Sequence, residues 1–380
     1  MHELIVINER FRTNKRKTIA KLTAEFRDGS YDISLGDHHW SLRSDWISEP
    51  PENDDVAFIG AIVLSMSNNI EFHSDLRVTE GCLRSVERLR YALRTIRHRK
   101  IYFPDFHIGT LAKNPDATNS NGALCVSGGL DSTFSAFLNH KNGGGNNFGM
   151  VMIGADYDHN DDPRNDVLRQ RTQILCDRFE LELKSVEISP SFIKNVLWRM
   201  FFPTVLWMVT KYLEPKISKS AISADLTPIG ELGTFPWGNC SAIVKCLDDP
   251  TFPVSHVGVE YQRFKKMAAL VDDAPDIISN IIACGKLTRE GINCGTCGKC
   301  IRTQLNLEAA GHPMPEIFDT QPDLVQWLRA RHPFRGQKKL RAALVWAIEY
   351  EVSLPEGPLR DAAVVYRKRI EDAIIPIGRI

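Results

Sequence analysis

The segment from Leu124 to Thr133 constrains the fold of this chain more than any other. A short apolar run at 124–126 is followed by Ser-Gly-Gly-Leu-Asp-Ser at 127–132 and then by apolar residues at helical spacing. Strand, tight turn and helix in this order predict a unit of a parallel α/β sheet. The turn brings backbone N–H groups towards the positive N-terminal end of the helix. The segment therefore predicts a phosphate-binding loop.

The residue types in this loop suit a chain of phosphates. Gly128 and Gly129 allow φ > 0 and a close approach of the backbone to a ligand. Ser127 and Ser132 add hydroxyl groups, and Asp131 carries a carboxylate that can hold Mg²⁺ on phosphate oxygens. The alternative is a turn without a ligand, because Gly-Gly and Ser-Gly pairs also mark plain turns.

The loop resembles the Ser-Gly-Gly-x-Asp-Ser loop of the N-type ATP pyrophosphatases, and the Walker-type Gly-x4-Gly-Lys-Ser/Thr motif is absent. Those enzymes cleave ATP to AMP and pyrophosphate in order to adenylate a carboxyl, carbonyl or amide oxygen. The resemblance implies ATP and Mg²⁺ as cofactors and an ATP-binding set made up of Cys125, Val126, Ser127, Gly128, Gly129, Leu130, Asp131, Ser132 and Thr133. Within that set, Ser127, Asp131 and Ser132 would act in catalysis.

A second motif gathers four of the nine cysteines. Cys294, Cys297 and Cys300 form two overlapping Cys-x2-Cys steps, and Cys284 lies ten residues upstream. Four thiolates at this spacing predict a closed tetrahedral Zn²⁺ site with a structural role. A [4Fe–4S] cluster on the same thiols and a chance group of buried cysteines are the alternatives.

The two motifs in this order resemble the 7-cyano-7-deazaguanine synthase family of queuosine biosynthesis, over about residues 123–307. Members of that family use ATP to convert 7-carboxy-7-deazaguanine and ammonia into the nitrile, through an adenylated carboxylate and an amide. They carry a structural zinc on four cysteines. The resemblance therefore implies that Cys284, Cys294, Cys297 and Cys300 hold zinc and that the substrate is a deazaguanine carboxylate.

The chain also departs from that family. Pro203-Thr204-Val205-Leu206 stands where members show Pro-x-Arg-Asn, and Arg302 follows the last cysteine by two positions rather than three. About 120 residues precede the loop and 80 follow the cysteines, whereas ordinary members have neither. Similar elongated relatives occur in bacterial antiphage defence operons, where some join a deazaguanine carboxylate to the N-terminus of a partner protein. The amine acceptor is therefore either such a partner protein or ammonia.

The alternation of apolar runs predicts the organisation of the chain. From residue 123, strands at 123–126, 150–155, 182–188, 218–224 and 253–257 alternate with helices, which predicts an α/β fold with a doubly wound parallel sheet. Residues 1–118 predict an α+β accessory domain with strands at 4–8, 18–26, 31–35, 39–42 and 56–65 and a basic helix at 79–97. Residues 119–310 would be the ATP pyrophosphatase domain with the cysteine site, and 311–380 a helical extension with helices at 323–330, 338–350 and 359–373.

A Pro- and Gly-containing stretch is the candidate substrate loop. The loops that follow parallel strands meet at one edge of the sheet, which brings Asp225 and residues 236–239 towards the phosphate loop. Trp237 offers a face on which a purine-like heterocycle can stack. The predicted substrate-binding set is Asp225, Pro236, Trp237, Gly238 and Asn239. The alternative is that Trp237 belongs to the core and that the polar residues only form turns.

Composition restricts the class of protein. The 380 residues carry 47 basic and 47 acidic side chains, so that net charge does not predict a nucleic-acid partner. The longest apolar stretch, 196–213, is interrupted by Arg199, Pro203 and Lys211, which predicts a buried helix rather than a membrane span. We expect a cytoplasmic protein, with a homodimer as one possible state. A thiolating tRNA-modifying enzyme and a non-catalytic nucleotide sensor are the competing functions.

Overall fold

The computed structural model describes residues 18–96, 98, 100–115, 120–157, 162–234, 237–288, 290–331 and 337–374. The strands are β1 (Thr18–Arg27), β2 (Ser30–Leu35), β3 (His38–Arg43), β4 (Ile70–Thr79), β5 (Phe106–Ala112), β6 (Gly122–Val126), β7 (Phe148–Ile153), β8 (Glu182–Ile188), β9 (Lys219–Ser223) and β10 (Val254–Val257). The helices are α1 (Asp55–Asn68), α2 (Glu80–Ile96), α3 (Leu130–Lys141), α4 (Asp162–Arg178), α5 (Pro190–Asn195), α6 (Trp198–Tyr212), α7 (Pro228–Thr234), α8 (Ser241–Leu247), α9 (Arg263–Asp273), α10 (Gly298–Ala309), α11 (Leu324–Ala330), α12 (Gln337–Ser353) and α13 (Pro358–Ala373), with a 3₁₀ turn at Pro275–Asn280.

The strands form one ten-stranded sheet in the order β10-β9-β6-β7-β8-β3-β2-β1-β4-β5. Strands β6 to β10 pair with one another only in parallel, and β1 with β4 and β4 with β5 are also parallel. This confirms the predicted α/β class with a mostly parallel sheet. The five predicted strands after residue 120 all exist, with ends that differ by two residues or fewer.

The N-terminal strands continue the same sheet. Strand β3 pairs antiparallel with β8, with Leu42 opposite Ile188, and β2 and β1 extend the sheet from there. Helix α1 packs against α6 on one face of this sheet. Helix α1 lies close to β3 and α6 at Gly60, where a Cβ atom would lie 2.8 Å from the Trp40 ring and 3.0 Å from the Met208 sulfur. Residues before and after position 120 therefore share one apolar core.

One element of the sequence prediction is wrong. Residues 56–65 were expected to form a strand, and they form helix α1, in which every residue from Asp55 to Met66 is buried. A segment buried on all sides has no polar face, so its periodicity cannot distinguish helix from strand. Strands β4 and β5 were not predicted, and the strand expected at 4–8 lies outside the described residues.

The long apolar stretch forms α6, whose residues from Met200 onwards are buried except Phe202. This agrees with the buried helix that the interruptions at Arg199, Pro203 and Lys211 predicted. Within the described part of the chain, no helix combines the length and apolarity that crossing a membrane requires. The C-terminal helices α11, α12 and α13 form a smaller apolar cluster with Ile301 and Leu305 of α10.

A buried ion triad joins α1 to α6. The Lys211 ammonium lies 2.9 Å from the Asp55 carboxylate and 2.6 Å from that of Glu214, and Lys211 and Asp55 are almost fully buried. Asp55 also accepts hydrogen bonds from the backbone N–H and the hydroxyl of Thr79, at 2.8 and 2.7 Å. These bonds satisfy the buried charges and fix the position of α1.

We expect Lys211→Met to destabilise the protein by about 3 kcal/mol, because it leaves two buried carboxylates without their cation. The measurement is the free energy of unfolding in urea. The matched control is Lys245→Met, which removes a lysine whose side chain is 80% exposed and pairs with Asp248, and it should cost less than about 1 kcal/mol. Equal losses in the two variants would contradict a special role for the triad.

Candidate functional site

The loop at 127–129 lies where the order of the parallel strands reverses. Strand β6 has β7 on one side and β9 on the other, and the chain leaves β6 into α3. Helices that follow strands on the two sides of such a position diverge and leave a crevice at the carboxyl ends of the strands. The predicted phosphate loop therefore lies at the position where α/β sheets bind ligands.

The backbone of the loop has the predicted left-handed turn. Gly128 has φ +67°, and a Cβ atom there would lie 3.0 Å from the Ile282 side chain. Gly129 is the N-cap of α3, and no side chain caps that helix end. Ser132 is buried, and its hydroxyl accepts a hydrogen bond from the Ser127 N–H (3.2 Å) and donates one to the Gly129 carbonyl (3.1 Å).

The other predicted ATP-binding residues divide into buried and exposed groups. Cys125, Val126, Leu130 and Thr133 are buried and support the turn, whereas Ser127 is exposed at its edge. Since the first turn of α3 has no side-chain cap, its N–H groups are available to an anion.

Asp131 is held by two cations that the sequence analysis did not identify. One carboxylate oxygen lies 3.1 Å from the Arg263 guanidinium and the other lies 3.1 Å from the Lys266 ammonium. Lys266 is fully buried and also donates to the Ala224 carbonyl at the end of β9. Arg263 and Lys266 are three residues apart on α9 and so share a helix face. The three-residue spacing of Arg263 and Lys266 could have indicated a pair of cations on one helix face. The sequence did not show that this helix lies beside the loop.

The candidate substrate loop forms a compact polar group. The Trp237 indole N–H donates to one oxygen of Asp225 at 2.9 Å, and the Asn239 amide donates to the other at 3.2 Å. Burial, followed by the neighbouring Asp131, raises the pKa of Asp225 to about 6. The Asn239 side-chain oxygen is buried without a hydrogen-bond partner among the described residues. A polar ligand at this crevice would satisfy it.

The predicted substrate set has two further members, Pro236 and Gly238. Gly238 is packed so closely on the chain around Met200 that a Cβ atom would lie 2.3 Å from the Met200 carbonyl oxygen. Pro236 lies outside the described residues. The structure therefore brings Asp225, Trp237 and Asn239 together and gives Gly238 a packing role.

The four predicted cysteines form one cluster. Their sulfur atoms all lie within 4.8 Å of one another, with separations of 3.7 Å (Cys284–Cys294), 3.8 Å (Cys294–Cys300) and 3.6 Å (Cys297–Cys300). Four sulfurs about 2.3 Å from one tetrahedral ion lie about 3.8 Å apart. In an iron–sulfur cube each cysteine binds a different iron, which requires wider spacing. The donor set therefore fits a single metal ion.

A buried asparagine shapes the chain around this cluster. The Asn293 side-chain oxygen accepts hydrogen bonds from the N–H groups of Ala283 (2.7 Å) and Cys284 (3.3 Å). Its amide donates to the Ile281 carbonyl at 3.0 Å. Asn293 is fully buried, so these bonds hold residues 281–284 in a fixed path.

A backbone hydrogen bond from that path joins the cysteine cluster to the loop at 127–129. The Ile282 N–H donates to the Gly128 carbonyl at 2.8 Å, two residues before Cys284. The Ile282 side chain lies against the α-carbon of Gly128. From the strand β7 side, the Tyr157 hydroxyl donates to the Cys284 carbonyl at 3.4 Å. The position of the cysteines therefore bears on the conformation of the loop.

Three arginines of the basic helix α2 form contacts within the protein. Arg84 and Arg88 pair with Asp249 at 3.2 and 3.7 Å, and Arg88 also donates to the Asp248 carbonyl. Arg90 is buried and donates to the Pro104 carbonyl. The contacts of Arg84 and Arg88 dock α2 on α8 and the turn that follows it.

Comparison of the chain with protein-family models, with curated proteins and with solved structures finds no match. The two motifs and their geometry are therefore the basis on which a function is proposed below.

We expect one Zn²⁺ or Co²⁺ ion per chain, and a Co²⁺ spectrum typical of four tetrahedral thiolates. Cys297→Ser should weaken metal binding and lower the melting temperature, because the metal contributes folding free energy. The matched control is Cys246→Ser, since Cys246 lies outside the cluster and should leave both quantities unchanged. Purified protein that carries iron and a visible chromophore would show that the single-ion assignment is wrong.

Proposed function

We propose that the protein is an ATP-dependent adenylating enzyme that activates the carboxylate of 7-carboxy-7-deazaguanine, releases pyrophosphate and passes the acyl group to an amine. One observation carries the proposal. The Ser-Gly-Gly-x-Asp-Ser loop lies at the strand-order reversal, and its Asp131 holds the cations Arg263 and Lys266 at the same crevice. The choice of heterocycle rests on the resemblance of the loop and the four cysteines to the deazaguanine family.

The loop can stabilise the charge that moves when pyrophosphate leaves. A carboxylate is a poor electrophile, and adenylation gives it AMP as a leaving group. The uncapped N–H groups of α3 face the crevice beside Ser127, and Arg263 and Lys266 add two positive charges. Asp131 positions both cations before ATP arrives. Asp131 and the phosphates would hold Mg²⁺, which would neutralise further charge.

The polar group around Asp225 supports a heterocycle site beside the loop. Asp225 has the raised pKa of about 6 and stays mostly ionised at neutral pH, so it accepts N–H bonds. The buried Asn239 oxygen lacks a partner among the described residues and would accept another. Trp237 supplies an aromatic face next to both. A planar ring with N–H donors along one edge fits this arrangement.

Zinc on the four cysteines would have a structural role. One tetrahedral ion would take up all four sulfurs, which would leave no coordination position for a substrate. Such an ion would hold residues 281–284 and, through Ile282, the carbonyl of Gly128. The site thus stabilises the phosphate loop in the proposed enzyme.

A sulfur-relay enzyme of the tRNA-thiolating type is less well supported. It needs a reactive cysteine near the loop, and the four clustered cysteines suit a metal. Cys125, next to the loop, is buried, and burial raises its pKa to about 12. The proposed amine acceptor is either the N-terminus of a partner protein, which yields an amide conjugate, or ammonia, which leads to the nitrile.

We expect Asp131→Asn to lower ATP–pyrophosphate exchange by about 100-fold or more in the presence of 7-carboxy-7-deazaguanine, because Arg263 and Lys266 lose their anchor. Ser127→Ala should also lower exchange. The matched control is Asp273→Asn, which removes a half-exposed aspartate that pairs with Lys141 and should leave exchange unchanged. The rate is measured with radiolabelled pyrophosphate, and native folding is checked by circular dichroism.

Two outcomes would contradict the proposed enzyme. Exchange that is equal in wild type and Asp131→Asn would remove the loop from the mechanism. ATP binding without exchange, whichever carboxylate is supplied, would instead support a nucleotide sensor.

We expect loss of the metal to weaken ATP binding by about tenfold, because the hydrogen bond from Ile282 to Gly128 is worth about 1.4 kcal/mol. The measurement is the Kd for ATP of Cys297→Ser and of chelator-treated wild type, by calorimetry. Cys246→Ser is again the control. An unchanged Kd in a folded, metal-free protein would show that the cysteine site does not act on the loop.

A further inference from the structure

Glu349 is a buried carboxylate that the proposed chemistry has not yet used. It lies on α12, is 7% exposed, and has no hydrogen bond or ion pair with the described residues. Burial raises its pKa to about 7, against the opposite effect of Arg263 and Arg302. A buried acidic group without a bonding partner is costly for stability, and such groups concentrate at functional sites.

Helix α12 is joined to two elements of the candidate site, α7 and α10. On one side it packs on α7, where a Cβ atom at Gly233 would lie 2.3 Å from the Val345 side chain. On the other side the Arg302 guanidinium of α10 lies 3.9 Å from the centre of the Trp346 ring. Helix α7 follows the turn that contains Asp225, and α10 packs on α9, which carries Arg263 and Lys266.

The charged groups that affect the pKa of Glu349 belong to the candidate site. They are Arg263 and Lys266 on α9, Arg302 on α10, and Asp131 at the start of α3. Glu349 in turn acts on the pKa of Arg263.

One charged group on each of two other elements packed against α12 has a partner of its own. Glu231 of α7 accepts hydrogen bonds from Ser241. Arg367 of α13 pairs with Glu351, on a different face of α12. Neither contact involves Glu349, whose pKa responds instead to the charged groups of the candidate site.

The three carboxylates at the crevice differ in what they are free to do. Asp131 is paired with Arg263 and Lys266, and Asp225 accepts from Trp237 and Asn239. Glu349 is the one of the three whose oxygens have no bonding partner among the described residues.

We propose that Glu349 is the proton acceptor of the second half-reaction, an inference that rests on the proposed adenylating function. The amine nitrogen forms a bond to the carbonyl carbon of the acyl adenylate, and the bond from that carbon to the phosphate oxygen breaks. AMP leaves with the electron pair, and the proton released by the amine passes to the Glu349 carboxylate. The C-terminal helices thereby complete the catalytic site.

The surroundings of the crevice explain why a base is needed there. An amine that attacks a carbonyl becomes positively charged, and the cations on α9 and α10 oppose that charge. A carboxylate that takes the proton removes the repulsion. General bases act best when their pKa lies near the working pH, as the burial of Glu349 provides.

The test is Glu349→Gln with both half-reactions measured separately. ATP–pyrophosphate exchange with 7-carboxy-7-deazaguanine should stay within about threefold of wild type. Amide formation from ammonium chloride or glycinamide, followed by mass spectrometry, should fall by about 100-fold or more. The matched control is Glu351→Gln on the same helix, which should leave both rates unchanged because Glu351 contacts Arg367.

Two further readouts distinguish a proton acceptor from a structural residue. The wild-type rate of amide formation, divided by the fraction of the amine that is unprotonated at each pH, should rise as the pH increases through about 7, since only the ionised carboxylate accepts a proton, and this rise should vanish in Glu349→Gln. Hydroxylamine, which is less basic than ammonia and so loses its proton to water more readily once it has attacked the carbonyl carbon, should restore acyl transfer in that variant. Glu349→Asp should recover part of the rate and serves if the glutamine variant does not fold.

The outcomes separate this inference from the proposed function. If wild type shows exchange and Glu349→Gln forms the amide as fast as wild type does, the inference is wrong and the proposed adenylation is unaffected. A parallel loss of exchange and amide formation also overturns it, because Glu349 would then act in binding or folding. If wild type forms no amide from either amine, the inference is also wrong. If wild type shows no exchange, the proposed function itself is wrong.

Discussion

The left-handed turn at Gly128 is the constraint on which the site depends. A side chain there would be strained by φ +67° and would meet Ile282 at 3.0 Å, so the close contact of the two segments requires glycine. The Gly128 carbonyl then accepts the Ile282 N–H, two residues before the first clustered cysteine. One backbone position thus opens the end of α3 to a ligand and joins the loop to the cysteine cluster.

The charged groups at the crevice have partners within the protein before any ligand binds. Asp131 pairs with Arg263 and Lys266, and Asp225 accepts hydrogen bonds from Trp237 and Asn239. A triphosphate could replace these internal contacts at small cost, because the cations are already held at the crevice. The groups left without partners, such as the Asn239 oxygen and Glu349, are those that a second substrate would engage.

The residues before the loop are structurally continuous with it. Strand β3 joins β8 in one sheet, and the Lys211–Asp55 pair binds α1 to α6 beneath it. Because α1 is apolar on every face, its sequence matched a strand as well as a helix, and the prediction for residues 56–65 was wrong. Helix α2 was predicted correctly, since its apolar residues recur on one face.

The sequence by itself determined the local features: the strand–loop–helix around Gly128, the alternation that builds the parallel sheet, and a four-cysteine cluster spanning residues 284–300. These depend on short-range patterns, in which neighbouring residues must share a turn or a face. Only the tertiary structure decided which distant side chains meet. Lys266 lies 135 residues from Asp131, and Glu349 comes from a helix with no motif of its own. Such contacts follow from the packing of α9, α10 and α12 around the end of the sheet, and an isolated arginine, lysine or glutamate carries no local signal of its partner.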